Sequence, residues 1–287
     1  MRLDNYADLG RHPVQLSLYL NRSESFRDIF HAHQGIEILY VHRGNGRVMI
    51  GQELFEMKPG TLLFFKPFQL HTIRMTITEQ QPYIRSMLLF DPAVLLRYTE
   101  PYPSLNSFLL HIWKHPFGDQ WVDVTDTDAM DKLFHFYKDE SQVSHNAPVQ
   151  SEKVLLDTLS LLHRIQNLFD KQSAVGRVGS SLRFSPSVTA ILAWIEANYA
   201  SEFRLTDLAR HVHLTPNHVS YLFHRETGST LTNYLTAKRL QQASFLLKAT
   251  NLSIREIGHR IGFSNFSYFC QLFKKHNGLS PAKYRTS

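Results

Sequence analysis

The chain has 287 residues, 43% of them hydrophobic and 20% charged, enough apolar material for two separate cores. No uninterrupted apolar run reaches the ~18 residues of a membrane span, the opening MRLDNYADLG is too polar for a secretory signal, and the single cysteine, Cys270, excludes an internal disulfide framework and fits a reducing cytoplasm. The net charge of +6 is unevenly spread: residues 186–287 hold 12 Lys and Arg against 5 Asp and Glu, whereas residues 1–185 hold 19 against 20. Basic charge gathered in one third of the chain is the footprint of a polyanion-binding domain, although on charge alone a solvated basic surface stays open.

In chain order, residues from about 14 to 90 read as strands. QLSLYL, IEILYV, RVMI, TLLFF and HTIRMTI are short and β-branched or aromatic, and HRGNGR and KPG turns punctuate them. Closely spaced strands with glycine turns predict an antiparallel sandwich or small barrel. From about Asp91 the texture becomes helical. Asp128 to Ser141 and Ser151 to Lys171 show helical spacing, and Val154, Leu155, Thr158, Leu161, Leu162, Ile165 and Leu168 form a broad stripe. That stripe either packs on its own domain or forms a dimer seam. Lys171 to Ser185, KQSAVGRVGSSLRFS, reads as a linker. The predicted organisation is residues 1–170 as a sensing and dimerisation domain, 171–185 as linker and 186–287 as an all-α domain.

Past the linker the sequence repeats itself at a period of about 50 residues. Leu205, Leu208 and Val212 match Ile254, Ile257 and Ile261; after a one-residue insertion, Val219, Leu222, Phe223 and Gly228 match Phe269, Leu272, Phe273 and Gly278. Each copy reads as two short helices joined by a tight turn. Thr206 and Ser253 are the expected N-caps of the first helices, with Ser253 and Glu256 forming a capping box. Thr215 followed by Pro216, and Asn265, are the N-caps of the second; Gly228 and Gly278 are expected C-caps. Small Ala209 and Gly258 stand where the helices cross closely.

Val219, Leu222 and Phe223 share one face of a helix, as do Phe269, Leu272 and Phe273, so the opposite faces point outward. Those faces carry Asn217, Ser220, Tyr221 and His224, then Ser267, Cys270, Gln271 and Lys274, with Arg225 and Lys275 beside them. Hydrogen-bonding side chains followed by cations suit a helix lying in the major groove with phosphates next to it. Thr230 to Ala249 reads as one amphipathic helix holding the copies rigidly apart. If both copies read one face of B-DNA, their reading helices lie about one turn, roughly 34 Å, apart. A ligand-free helical bundle is the plainer reading of the repeat.

The words LTDLA, HLTPNHVSYLFHRETG, YLTAKRLQQASFLLKAT, SIREIGHRIGF and SNFSYFCQLFKKHNGLSPAKYR resemble the DNA-binding domain of the arabinose-operon regulator (AraC) family over about eighty continuous residues. The resemblance implies seven helices, two of them entering successive major grooves, and base contacts from Asn217, Ser220 and Tyr221, then Phe266, Ser267, Cys270 and Gln271. Tyr221 and Gln271 stand where the family often has arginine, so bidentate arginine–guanine readout is lost there and Gln271 is expected to favour adenine.

In the N-terminal half, His31, His33, Glu37 and Gly44 make an H-x-H-x3-E-x6-G pattern, and His71 opens a later strand. His31, His33 and Glu37 share parity and so face one side of a continuous strand. The pattern resembles the cupin motifs, in which these four positions hold a divalent metal such as Mn, Fe, Ni or Zn. The second motif departs from the usual spacing, because ten residues separate Gly60 from His71. Regulators of the resembled family generally use such a barrel to hold a small effector, most commonly sugar-related, without metal. The expectation is therefore an effector site at His31, His33, Glu37 and His71, no cofactor, and metal at the same four residues as the alternative. Cys270 is read as a small neutral filler, and Trp113, Trp121 and Trp194 as core.

Taken together, the sequence predicts a multidomain α+β protein: a cupin-like antiparallel β-barrel with appended helices, then two tandem helix-turn-helix motifs. The expected function is a sequence-specific DNA-binding transcription regulator, an activator under small-molecule control, and not an enzyme. Its expected partners are double-stranded DNA, the effector, RNA polymerase and a second copy of itself, with no membrane. The rival readings are a metal-dependent cupin enzyme fused to a DNA-binding domain, and an architectural DNA binder with no ligand.

Overall fold

The computed structural model describes residues 9, 13–22, 30–114, 120–124, 127–141, 147–173 and 183–286. Eight strands, β1 (Val14–Arg22), β2 (Ile36–Arg43), β3 (Asn45–Ile50), β4 (Glu53–Met57), β5 (Thr61–Phe65), β6 (His71–Thr76), β7 (Tyr83–Phe90) and β8 (Trp121–Asp123), build the N-terminal half. They form a five-stranded sheet in the order β1-β7-β2-β5-β8 and a three-stranded sheet in the order β4-β3-β6. Every pairing between these strands is antiparallel.

Alternation along each strand sorts the side chains into layers. Leu39, Val41, Leu63, Phe65 and Met87 of the large sheet meet Val48, Ile50, Phe55, Met57 and Ile73 of the small one, and this is the barrel core. The even positions of the large sheet, Ile36, Ile38, Tyr40, Leu62 and Phe64, point the other way with Leu88 and Phe90. Four helices cover them: α1 (Pro92–Thr99), α2 (Pro103–Lys114), α3 (Thr127–Ser141) and α4 (Ala147–Ser173). Much of the α4 stripe packs here: Leu161, Leu162 and Ile165 are buried in the same cluster, Leu155 and Leu168 are half-buried against it, and Phe169 joins them.

Three strands differ from the expected set. β4 and β7 stand within the strand-rich region without the distinct pattern of the others. β8 interrupts the helical region after Asp91, where Leu62 pairs with Val122. The predicted linker starts inside a helix, because α4 runs through Lys171 to Ser173; residues 174–182, its glycine-rich middle, lie outside the described residues.

The C-terminal part has the seven helices that the resemblance implied: α5 (Pro186–Asn198), α6 (Leu205–His211), α7 (Pro216–Thr227), α8 (Leu231–Ala249), α9 (Ile254–Arg260), α10 (Phe266–Asn277) and α11 (Pro281–Thr286). Thr215, Ser253 and Asn265 accept backbone N–H bonds as N-caps, and Ser253 with Glu256 closes the capping box. Gly228 and Gly278 end α7 and α10 at φ 76° and 74°, a conformation that costs glycine nothing. A Cβ on Gly258 would lie 3.0 Å from the Phe269 ring, which is the close crossing expected there. Thr206 is not a cap. It lies in the first turn of α6, whose N-cap is Arg204 without a side-chain bond, because Leu205 enters the helix to pack on the core beside Leu208.

α8 is buried over much of its circumference, from Leu231 through Tyr234, Ala237, Leu240 and Ala243 to Leu247. Even Lys238 is buried, its Nζ 2.6 Å from Glu196 Oε2. Both helix-turn-helix copies use this helix, and so does the sensor. The outward side chains Met49 and Leu54 of the small sheet join Phe30, Leu70, Tyr234, Leu235 and Ala237 in one continuous core. Phe30 meets Tyr234 edge-on at 4.9 Å, Phe68 meets Phe245 at 6.1 Å, and the Gln241 amide donates to the Phe68 carbonyl. The two halves therefore dock through apolar surface.

Candidate nucleic-acid interface and sensor site

The second helix of each copy places its functional face by burying the other. On α7, Val219, Leu222 and Phe223 are buried, and Asn217, Ser220, Tyr221, His224 and Arg225 are exposed. On α10, Phe269 and Phe273 are wholly buried, and Ser267, Gln271, Lys274 and Lys275 are exposed. Two predicted contacts sit differently. Cys270 is half-buried against the second copy's core, as is Phe266, whose ring lies 4.8 Å beneath the Arg255 guanidinium. Burial pushes the Cys270 thiol up, which suits a neutral filler. Arg225 is drawn along the helix surface, 5.5 Å over the Tyr221 ring and 3.0 Å from Glu226.

The structure adds two residues that the outward-face argument passed over. His218 and Tyr268 occupy equivalent positions, both exposed on the flank of the reading face, and the His218 ring lies 6.4 Å from Tyr221. Their signal was present in the repeat alignment, one residue before Val219 and Phe269. Both surfaces offer hydrogen-bond groups in the middle with cations toward the C-terminal turn, the order that base-edge contact with adjacent phosphates requires.

At the sensor, the structure brings together all four predicted residues. His31 forms a backbone bridge with His71, and each amide donates to the other's carbonyl at 3.0 Å. The His31 and His71 rings are 4.2 Å apart, His33 and His71 5.2 Å, and His31 and His33 6.2 Å. Glu37 enters from the odd, barrel-facing side of β2 and is 5% exposed, with Oε2 3.0 Å from His33 Nε2. His71 is wholly buried and stacks on Phe65 at 4.0 Å. The irregular Gly60–His71 spacing is absorbed by the turn before β6, where Gln69 Oε1 accepts from Lys66 N–H and Phe68 takes a left-handed backbone.

Burial alone would raise the Glu37 pKa, but His33, then His71 and His31, hold it down to about 2. The His71 imidazole is held well below its ordinary range, first by burial and then by His31 and His33, despite Glu37. The result is an ionised Glu37 carboxylate beside an uncharged His71 imidazole.

A second polar group lies where the barrel meets α3. His42 Nδ1 is 2.6 Å from Asp131 Oδ1, and its Nε2 is 2.7 Å from Ser86 Oγ, which in turn accepts from Tyr19 N–H at 3.1 Å. The order of groups is that of a hydrolytic triad. Ser86 is 1% exposed, however, and Tyr19 stacks over His42 at 4.1 Å. The network pins α3 to the sheet, and burial keeps the His42 pKa below its ordinary value against the pull of Asp131.

Comparison with known proteins places both halves. Residues 13–185 match the AraC-like ligand binding domain, and residues 208–287 match a helix-turn-helix domain. The arabinose operon regulatory protein of Salmonella typhimurium is 35% identical over 284 residues, covering 96% of this chain and 91% of its own length. An uncharacterized helix-turn-helix-type regulator of Bacillus subtilis, YfiF, is 27% identical, covering 91% of this chain and 80% of its own. Among solved structures, the C-terminal domain of AraT, a response regulator from Geobacillus stearothermophilus, is 32% identical over 37% of this chain and 88% of that one, with a TM-score of 0.36.

Proposed function

The chain belongs to the AraC family of transcriptional regulators, and from that premise we propose that it reads an operator through α7 and α10 and answers to a sugar-related effector. It is a transcription regulator with a ligand-binding and a DNA-binding domain. The observation that carries the finer reading is the pair of exposed polar faces, equivalent in the two copies and both ending in cations. Asn217, Ser220, Tyr221, Ser267 and Gln271 serve as base contacts, and His224, Arg225, Lys274 and Lys275 as phosphate contacts. Phe266 and Cys270 shape the second reading helix from beneath, their half-burial favouring packing over hydrogen bonding.

The domain limits that serve this reading are residues 1–170, 171–185 and 186–287. Relatives named for the arabinose and melibiose operons support a sugar-related effector, and a relative named as a transcriptional activator, AarP of Providencia stuartii, supports an activator's role. In that role the protein acts in the cytoplasm as a homodimer, contacts RNA polymerase, and works by binding rather than by catalysis. Among the described residues no helix is long and apolar enough to cross a membrane.

The test is binding of the purified protein to DNA upstream of its own and neighbouring genes, at fixed salt, with and without arabinose, melibiose and related sugars. Specific binding that one sugar shifts is expected; specific binding indifferent to all of them would overturn the sugar reading and leave the DNA reading intact. Lys274→Ala is expected to weaken specific and random DNA alike and to reduce the salt slope by about one.

A further inference from the structure

The cluster at the end of the barrel contains two buried imidazole nitrogens, on His33 and His71, with no hydrogen-bond partner among the described residues. His71 is wholly buried, and its Nδ1 faces the Gln69 carbonyl at 2.9 Å. Its Nε2 is buried with no hydrogen-bond partner among the described residues. His33 is arranged in the same way, with Nδ1 2.9 Å from the Gly35 carbonyl. Its Nε2 faces the Glu37 carboxylate at 3.0 Å, outside hydrogen-bond alignment. Imidazoles anchored through one nitrogen to a backbone carbonyl, with the other nitrogen turned to a shared point, are oriented as metal ligands are. One ligand atom from each of His31, Glu37 and His71 falls within 4.8 Å of the others. Closing onto an ion at about 2.0–2.2 Å from each needs only side-chain adjustment.

Without an ion the arrangement is costly. A nitrogen that accepts nothing and a carboxylate are buried side by side, and each would ordinarily require a donor or a positive charge. A divalent cation among His31, Glu37 and His71 satisfies that nitrogen and that carboxylate together, with His33 Nε2 3.0 Å from the same carboxylate. Three imidazoles and one carboxylate select a borderline transition ion over calcium or magnesium, which take oxygen ligands.

His31 also belongs to the boundary between the two halves. With Phe30 and Ala32 it lines a small crevice whose other wall is Ala237, Leu240, Gln241 and Ser244 of α8 and His276 and Asn277 at the end of the reading helix α10. One residue earlier, Phe30 is the apolar contact with Tyr234. The segment carrying the first ligand is thus the segment on which the DNA-binding helices rest.

We propose that His31, His33, Glu37 and His71 bind one divalent transition-metal ion, and that the ion, by fixing His31 against His71, sets the packing of the sensor on α8 and the end of α10. The proposal deepens the sensor reading above and does not depend on a sugar effector. The experiment uses the full-length chain, stripped with a chelator and titrated with Zn²⁺ and, for its visible absorption, Co²⁺. One equivalent is expected to bind, with a four- or five-coordinate Co²⁺ spectrum. His71→Ala is expected to weaken binding at least ~100-fold, and so is His31→Ala, a half-exposed position that leaves the barrel core in place. His163→Ala, on the exposed face of α4, is expected to leave binding unchanged.

Failure of the wild-type chain to take up an equivalent of either ion would overturn the site, as would uptake unaffected by both ligand variants. For the coupling, amide exchange in 234–244 is expected to slow on metal binding in the wild type and not in His31→Ala. Stoichiometric binding with unchanged exchange would overturn that half. Operator binding measured on the same samples separates the two readings, because specific DNA binding by a metal-free chain refutes nothing in the DNA interface.

Discussion

The two helix-turn-helix copies share a plan and differ in what holds them. The first copy shares its core with the sensor, through Phe30, Met49, Leu54 and Leu70, and the Arg74 side chain of β6 lies against Gly228 at the end of α7. The core of the second copy is drawn from Leu240 to Tyr284 alone. Local signals run the opposite way. The second copy has a complete capping box at Ser253 and a glycine, Gly262, at the left-handed position of its turn. The first copy begins on uncapped Arg204 and puts His213 at the matching position with φ 56°. The copy that shares its core with the sensor carries the weaker local devices, and the copy whose apolar core is its own carries the stronger ones. This is the balance expected when packing overrides propensity.

The largest effect that tests this contrast comes from its cores. Phe223→Ala and Phe269→Ala each remove a wholly buried ring, and each is expected to cost ~3–5 kcal/mol. Only the first should also loosen the sensor, seen as faster amide exchange in β3. Equal effects on β3 from both variants would break the comparison. Next come the reading faces. Gln271→Ala is expected to weaken specific DNA binding by about 1–3 kcal/mol and to relax one base position. Tyr221→Ala should do the same at a separate position one helical turn of DNA away, and footprints with base-substituted operators tell the two apart.

Smaller effects sharpen the contrast in local devices. Ser253→Ala removes the bond that Ser253 Oγ accepts from the Glu256 N–H, leaving the backbone N–H of residue 253 to donate to Glu256, and is expected to cost ~1 kcal/mol by chemical denaturation. Arg204→Ala, at a cap that makes no side-chain bond, should be close to neutral. His213→Gly relieves a left-handed backbone and is expected to stabilise the first copy by up to about 1 kcal/mol. A loss of stability there would mean that the His213 side chain holds the turn.

Much of the DNA-binding half was legible because its information is local. Thr215 with Pro216, Asn265, Ser253 with Glu256, and the two C-cap glycines each act on backbone groups within about four residues, and all five act as the sequence indicates. Thr206 failed as a cap because a half-buried leucine one residue earlier, packed on the core, decided where α6 starts. In the sensor, β7 was hard to separate because six of its eight residues from Arg85 to Phe90 are buried in succession, with no alternation to reveal it. β8 is three residues long and exists only by pairing with β5, some sixty positions earlier.

The sequence by itself determined the repeat, all but one of the caps, and the inward and outward faces of α7 and α10, each of which follows from spacing along a helix. The continuous strand expected to give His31, His33 and Glu37 one parity does not form, because β2 begins only at Ile36. Only the tertiary structure decided that His71 closes on those three residues, since that depends on the bridge that joins it to His31 across forty residues of intervening strands. It alone decided that the outer face of the small sheet rests on α8. Such contacts are fixed by complementary apolar surfaces from distant segments, and no periodicity within either segment encodes which surface the other will meet.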